Sequence, residues 1–318
     1  MTRSRTLASF LAGGIGLTGL AVAAPAQAAT QPNQVAGCST PATQSANTST
    51  KRAFTSGGLE RDYILHLPKK YDRDRAWPVI VAFHGRGSTG TELEGFSGLS
   101  GLPAIVAYPN GVIGDDNRQA WQGAPYAAEG VNDVAMTRAL LNDINKGFCA
   151  DPNRVYATGK SNGGGFANLL ACRLPDRIAA IAPVAAALYP ASRQGCAKAA
   201  PKPVLGIHGT DDVTIPYAGD QDRDLPMLNS WAREWATKAG CTDKPQTRVL
   251  AYDAVDSRYR GCGDNQVGLV SVMGGGHTWP GADAYSGGGY TTQSVEAADL
   301  AWAFFKKHAL APTTGAQS

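Results

Sequence analysis

A serine stands between glycines in the run Gly159-Lys160-Ser161-Asn162-Gly163, where a short apolar stretch, Val155 to Ala157, gives way to Phe166, Leu169 and Leu170 at helical spacing. Strand, sharp turn and helix in that order are the setting in which a G-x-S-x-G string forms a nucleophile elbow. The serine sits in a strained turn, and small neighbours let strand and helix approach closely enough to push its hydroxyl into the open. Two other glycine-rich devices do not fit. A phosphate-binding loop needs glycine where Arg154 stands, and a dinucleotide fingerprint needs one at Ser161. Ser161 is therefore the expected nucleophile.

A serine nucleophile needs a base, and the base needs an orienting acid. With the chain order serine, acid, histidine, two histidines are available, His277 and His308. His308 ends the run Phe304-Phe305-Lys306-Lys307-His308, which reads as a solvated helix terminus. His277 lies in Gly274-Gly275-Gly276-His277-Thr278-Trp279-Pro280-Gly281, directly after a strand-like run, and a loop of that composition can carry an imidazole to the elbow. For the acid, Val204 to His208 leads into Gly209-Thr210-Asp211-Asp212-Val213. Either aspartate can accept the imidazole Nδ1 hydrogen while its neighbour caps the turn or faces solvent. The amide of Asn162 is one expected oxyanion donor, and the amide of Arg86, between Gly85 and Gly87 after the run Val79 to Phe83, is the second. His84 reads as shaping that loop. His66, His84 and His208 lack metal-ligand spacing, no H-E-x-x-H occurs, and neither metal nor cofactor is expected.

These residues must be held by a scaffold. Strand-like runs at Tyr63 to Leu67, Val79 to Phe83, Ala104 to Tyr108, Arg154 to Ala157, Ile178 to Val184, Val204 to His208 and Leu269 to Met273 alternate with helical patterns near Val131 to Phe148, Gly163 to Cys172, Leu225 to Ala239 and Gln293 to His308. Such alternation predicts an α/β fold, a mostly parallel central sheet with helices on both faces, in one catalytic domain over 51–310. Arg3 and Arg5 precede an apolar stretch from Leu7 to Ala24 and small residues at Ala26 and Ala28, the pattern of an export signal over 1–28 and hence of a secreted protein. Residues 29–50 and 311–318 have the composition of a flexible segment and a disordered tail. Without that signal the 27 basic and 26 acidic residues nearly balance, leaving no nucleic-acid footprint, and no later apolar run is long enough to span a membrane.

Six cysteines without C-x-x-C spacing predict three disulfides. Cys149 precedes the elbow strand and Cys172 lies near the far end of the following helix, so the two are expected to pair at the bottom of the sheet. Cys241 and Cys262 bracket the run Thr247 to Tyr252, and Cys38 with Cys196 follows by elimination.

The chain resembles the secreted esterase family that joins polyhydroxybutyrate-depolymerase-type and feruloyl-esterase-type enzymes. The resemblance rests on F-H-G-R-G at Phe83 to Gly87, A-W-Q-G-A-P-Y at Ala120 to Tyr126 and G-V-N-D-V at Gly130 to Val134. It continues through G-K-S-N-G-G at Gly159 to Gly164, C-R-L-P-D-R at Cys172 to Arg177, H-G-T-D-D at His208 to Asp212 and G-G-G-H-T-W-P-G at Gly274 to Gly281. It covers nearly all of Arg61 to Leu310. It implies the α/β-hydrolase fold, Asp212 rather than Asp211 as the triad acid, His277 as the base, and ester hydrolysis through an acyl-enzyme without cofactor. Trp121 and Trp279 are the expected walls of an aromatic acyl or sugar site, while Asp133 reads as a helix N-terminal residue. No linker to a separate binding module follows the last helix. That favours feruloylated plant cell-wall polysaccharide or oligosaccharide over solid polyester, with hydroxyalkanoate oligomers and acetyl xylan as the alternatives. A non-catalytic hydrolase-fold binding protein would have a broken triad, whereas all three positions are filled. A monomer is expected.

Overall fold

Runs such as Val79 to Phe83 and Ile105 to Tyr108 are apolar at every position, the pattern of strands covered on both faces. In the computed structural model, which describes residues 36–41, 43–242 and 244–311, they become the middle of a ten-stranded sheet. In chain order the elements are α1 (Ala36–Ser39), β1 (Ser49–Ser56), β2 (Leu59–His66), β3 (Trp77–Phe83), α2 (Gly90–Ser97), β4 (Ile105–Pro109), β5 (Val112–Ile113), β6 (Gln119–Ala120), α3 (Asp133–Gly147), β7 (Ala150–Lys160), α4 (Asn162–Arg173), β8 (Ala180–Val184), β9 (Val204–Gly209), α5 (Leu228–Lys238), β10 (Gln246–Ala251), β11 (Ala254–Arg258), β12 (Val267–Val272) and α6 (Ala297–Phe305). The sheet order is β1-β2-β4-β3-β7-β8-β9-β12-β11-β10. The six strands from β4 to β12 are parallel, and antiparallel pairs close both edges. The export signal, residues 29–35 and the tail from 312 lie outside the described residues.

The period of two along β3 divides the core. Val79, Val81 and Phe83 face one layer with Leu140 of α3, Phe166 of α4 and Trp231 of α5, whereas Ile80 and Ala82 face the other with Leu93 of α2 and Phe304 of α6. Helices therefore cover both faces, as the alternating pattern requires. The elements hidden from sequence lie at the rims. The strand β1 begins at the end of the stretch 29–50, whose composition reads as flexible, yet where described that stretch is structured. Gln44 donates through Nε2 to the carbonyls of Thr48 (2.7 Å) and Leu65 (2.8 Å), and β1 pairs with β2 throughout its length. Its polarity is that of an edge strand, with no fully buried position.

Two of the three expected disulfides are re-paired. Cys38 bonds Cys149 and Cys172 bonds Cys196, in place of Cys149–Cys172 and Cys38–Cys196; Cys241 bonds Cys262. The reason is packing that spacing does not reveal. The short helix α1 seats Gly37 against the carbonyls of Phe148 and Asn145. The segment after β8 folds back over α4, where Asn168 donates to the Ser192 carbonyl (3.0 Å), and this delivers Cys196 to Cys172. Cys241 and Cys262 bracket two strands, β10 and β11, rather than one.

Candidate active site

Parallel strands release their loops at one edge of the sheet, the carboxyl end, and the candidate triad is assembled there from three of them: Ser161 after β7, Asp212 after β9 and His277 after β12. Ser161 occupies a left-handed conformation, φ 57° and ψ −120°, which a non-glycine residue adopts only under constraint. The constraint is visible in the backbone: the Ser161 amide donates to the Val184 carbonyl (3.0 Å), and its carbonyl accepts from Gly165 (3.0 Å) and Ala187 (2.9 Å). Gly163 is required beside it, because a Cβ there would overlap the carbonyl oxygens of Phe83 and His84.

His277 donates from Nδ1 to Asp212 Oδ2 at 2.8 Å, which leaves Nε2 as the basic nitrogen. The other carboxylate oxygen, Oδ1, accepts from the amides of Thr214 (2.9 Å) and Ile215 (2.8 Å). Burial alone pushes the Asp212 carboxyl up, but hydrogen bonds from His208 and His277 and the Ile215 amide outweigh it and hold the group well below the usual carboxylate range. Asp211, the alternative acid, is solvent-exposed and accepts from the Thr210 hydroxyl (3.1 Å). The two loops are tied directly, Asp211 donating from its amide to the Gly275 carbonyl (2.9 Å) and Gly274 to Thr210 Oγ1 (2.8 Å). Burial lowers the His277 pKa; the Asp212 hydrogen bond opposes this and the nearby Lys160 charge adds to it.

Ser161 and His277 line one cavity of about 850 Å³, together with Gly85, Arg86 and Gly87 of the loop after β3. That loop is pinned by His84, whose Nε2 accepts from the Gly111 amide (2.9 Å) while Nδ1 donates to the Gly85 carbonyl (2.7 Å). Burial holds His84 neutral, with a pKa lowered to about 4. Asn162 opens α4, so its amide has no intrahelical acceptor and, like that of Arg86, is available to an oxyanion. The Asn162 side chain accepts from the Trp121 amide (2.7 Å), fixing the turn from the far side.

Trp121 and Trp279 do not form the cavity walls. Both are fully buried: Trp121 stacks on Phe166 (5.5 Å between centroids) and donates to the His84 carbonyl (2.9 Å), and Trp279 donates to the Ser97 carbonyl (3.0 Å). Each serves as the inner brace of its loop. The aromatic walls are instead Tyr126 and Tyr189, edge to face at 6.0 Å, with Phe96 and the exposed Tyr285. Tyr126 sits five residues from Trp121 in the same motif, so the segment was legible and the side chain that points inward was not. Sequence weighed His208 only as a metal ligand, whereas it donates from Nε2 to the Ile215 carbonyl (2.8 Å) and lies 3.2 Å from Asp212 Oδ2. Asp133, the first residue of α3, pairs with Arg61 (2.8 Å) in a buried ion pair and accepts from the Gln122 amide (2.8 Å), a structural role. His308 is buried against Phe304 rather than solvated. Among the described residues no group of three His, Cys, Asp or Glu is placed to hold a metal ion, and no helix is long and apolar enough to cross a membrane.

The family model described as "Putative esterase" matches residues 56–287, a span that includes Ser161, Asp212 and His277. The chain belongs to this esterase family. Feruloyl esterase B of Piromyces equi is 32% identical over 231 residues, 68% of this chain and 42% of that protein, so the chain spans less than half the length of that relative. A protein of Nocardia uniformis subsp. tsuyamanensis named "Putative esterase NocK" is 31% identical over 263 residues, 74% of this chain and 75% of its own. Among solved structures, acetyl xylan esterase from Aspergillus awamori is similar in fold, with a TM-score of 0.57 and 16% identity over 81% of this chain and 99% of that one. Family membership makes the chain a carboxylic ester hydrolase with the α/β-hydrolase fold.

Proposed function

We propose that the protein is a secreted, monomeric serine esterase, its catalytic domain spanning 51–310, that releases ferulate or related hydroxycinnamates from plant cell-wall polysaccharide. The observation that carries the reading is the 2.8 Å His277–Asp212 hydrogen bond, with Ser161 and His277 facing one cavity walled by tyrosines. Ser161 Oγ attacks the ester carbon, His277 Nε2 takes its proton and returns it to the departing alcohol, and Asp212 keeps the imidazole in the required tautomer. The amides of Asn162 and Arg86 receive the negative charge that develops on the carbonyl oxygen. Water then repeats the sequence on the acyl-enzyme. A flat cinnamoyl ring suits an aromatic wall such as the Tyr126–Tyr189 pair. Three disulfides accord with an oxidising compartment. The two sequence relatives support ester hydrolysis, and the name of one of them supports ferulate.

The test measures ferulate released from a feruloylated arabinoxylan oligosaccharide beside 3-hydroxybutyrate released from its oligomer and acetate from acetylated xylan, with Ser161→Ala as the blank. Ferulate release that disappears in the variant is the expected result. Cleavage of only one of the other two esters overturns the substrate, and no cleavage of any overturns the site.

A further inference from the structure

Lys160, the variable residue of the elbow immediately before Ser161, is only 7% exposed yet lines the catalytic cavity. A buried ammonium is costly unless something answers its charge. Among the described residues its Nζ has no ion pair and no hydrogen bond. The nearest candidate acid, Asp212, is already engaged by the amides of Thr214 and Ile215 and by His277 and His208. Nor do the other charges around the cavity supply a partner: Arg86 pairs with Asp116, Arg223 with Asp220, and Glu92 accepts from Ser88 and the Thr89 amide. Arg118 adds a further cation at the exposed rim. The Lys160 ammonium thus stands at the floor of the cavity within electrostatic range of the Asp212 carboxylate, but with no hydrogen-bond acceptor of its own among the described residues.

The ammonium also lies beside the loop that carries His277. Gly287 packs against the His277 carbonyl, which a Cβ there would overlap, and the same Cβ position lies 2.8 Å from Lys160 Nζ, while the next residue, Gly288, accepts the His277 amide (2.8 Å). Lys160 therefore stands on the imidazole side of Ser161. This is the side from which the alcohol leaves, because His277 must hand it a proton.

We infer that Lys160 is a recognition group for a carboxylate on the leaving alcohol, so that this site prefers esters formed on a hydroxy acid or a uronic acid. The inference rests on the serine-esterase reading but not on ferulate as the acyl group. In the reaction the bond from Ser161 Oγ to the ester carbon forms and the bond from that carbon to the alcohol oxygen breaks. The serine proton passes through His277 Nε2 to the alcohol oxygen, and the carboxylate remains ionised against Lys160 until the hydroxy acid departs. Water then releases the acyl group as its acid and restores Ser161.

The experiment compares acetate release from two matched pairs: O-acetyl-3-hydroxybutyrate against its N-methylamide, and acetylated glucuronic acid against acetylated glucose. The wild-type protein is expected to show a kcat/KM about tenfold higher for the acid in at least one pair, the scale of one charge-assisted hydrogen bond. The responding pair identifies the alcohol as a hydroxy acid or a sugar acid. In Lys160→Met the ratio should fall to about 1, and in Lys160→Arg a preference for the acid should survive. The ratio cancels any effect of the variant on His277, which both members of a pair share. A wild-type ratio near 1 in both pairs, or a ratio unchanged in Lys160→Met, overturns the inference while Ser161-dependent acetate release still upholds the esterase. Absence of Ser161-dependent release from every ester overturns both.

Discussion

At Asp212, hydrogen bonds from two backbone amides and a ring nitrogen converge on one buried carboxylate, with His208 close by, and this convergence distinguishes it from the exposed Asp211 next to it. Replacing Asp212 with Asn removes the charge that holds His277 in its working tautomer, and kcat/KM should drop by about 10³- to 10⁴-fold, the scale seen when a triad acid is made neutral. Asp211→Asn should leave kcat/KM within about twofold, since surface changes remote from special contacts are small; ester hydrolysis by the two variants side by side checks both. The pH profile is set by His277, which acts as base only when neutral. Burial, opposed by Asp212 and aided by Lys160, lowers its pKa from the ordinary 6.5, so the acid limb of kcat/KM should fall below that value and activity should persist into mildly acidic solution. Removing the Lys160 charge eases protonation of His277, and the limb in Lys160→Met should move up. A wild-type limb above 6.5 would contradict this account. The reacting atoms were legible in the sequence because each sits in a short motif whose glycines dictate the backbone. Trp121 and Trp279 were misread because motif composition does not say on which side of a loop a ring packs.

At the scale of elements, the elbow depends on how closely β7 and α4 approach β3. Adding one methyl group at Gly163 drives it into the Phe83 carbonyl, a rigid partner, so Gly163→Ala should cost about 3 kcal/mol or more or prevent soluble expression. Gly95, in the middle of α2, is the contrasting case. It is exposed, and a Cβ there meets nothing within 4 Å. Gly95→Ala should therefore stabilise the protein by about 0.5–1 kcal/mol through helix propensity alone. Urea unfolding of both variants tests the pair, and equal effects would refute the packing argument. This contrast also explains what could be read from sequence. Parallel strands buried on both faces announce themselves as unbroken apolar runs, and the strands near the middle of the sheet were all visible. The edge strand β1 exposes most of its side chains, and β11 carries Asp256, Ser257 and Arg258, so composition does not separate either from a loop, whereas β10 was visible as the run Thr247 to Tyr252.

Over the whole molecule, chemistry and covalent staples sit at opposite ends. The triad occupies the carboxyl ends of β7, β9 and β12. Cys149 directly precedes β7, Cys172 lies near the far end of α4, Cys241 follows α5, and Cys262 stands shortly before β12. All three bridges therefore close at the amino-terminal end of the sheet, and they should govern stability without touching catalysis. Their loops differ greatly: Cys38–Cys149 spans 111 residues, whereas Cys241–Cys262 spans 21. If a bridge acts mainly by restricting the unfolded chain, a loop of about 100 residues is worth roughly 4.7 kcal/mol and one of about 15 residues roughly 3. Removing the long loop should then cost about 1.5 kcal/mol more, or an extra 3–6 °C in Tm for a domain of this size. Cys38→Ala/Cys149→Ala should melt below Cys241→Ala/Cys262→Ala by about that margin, with kcat/KM at 25 °C unchanged in both. A reversed order in calorimetry would mean that local packing around Cys241 and Cys262 outweighs chain entropy, and a fall in kcat/KM would mean that the two ends of the sheet are coupled.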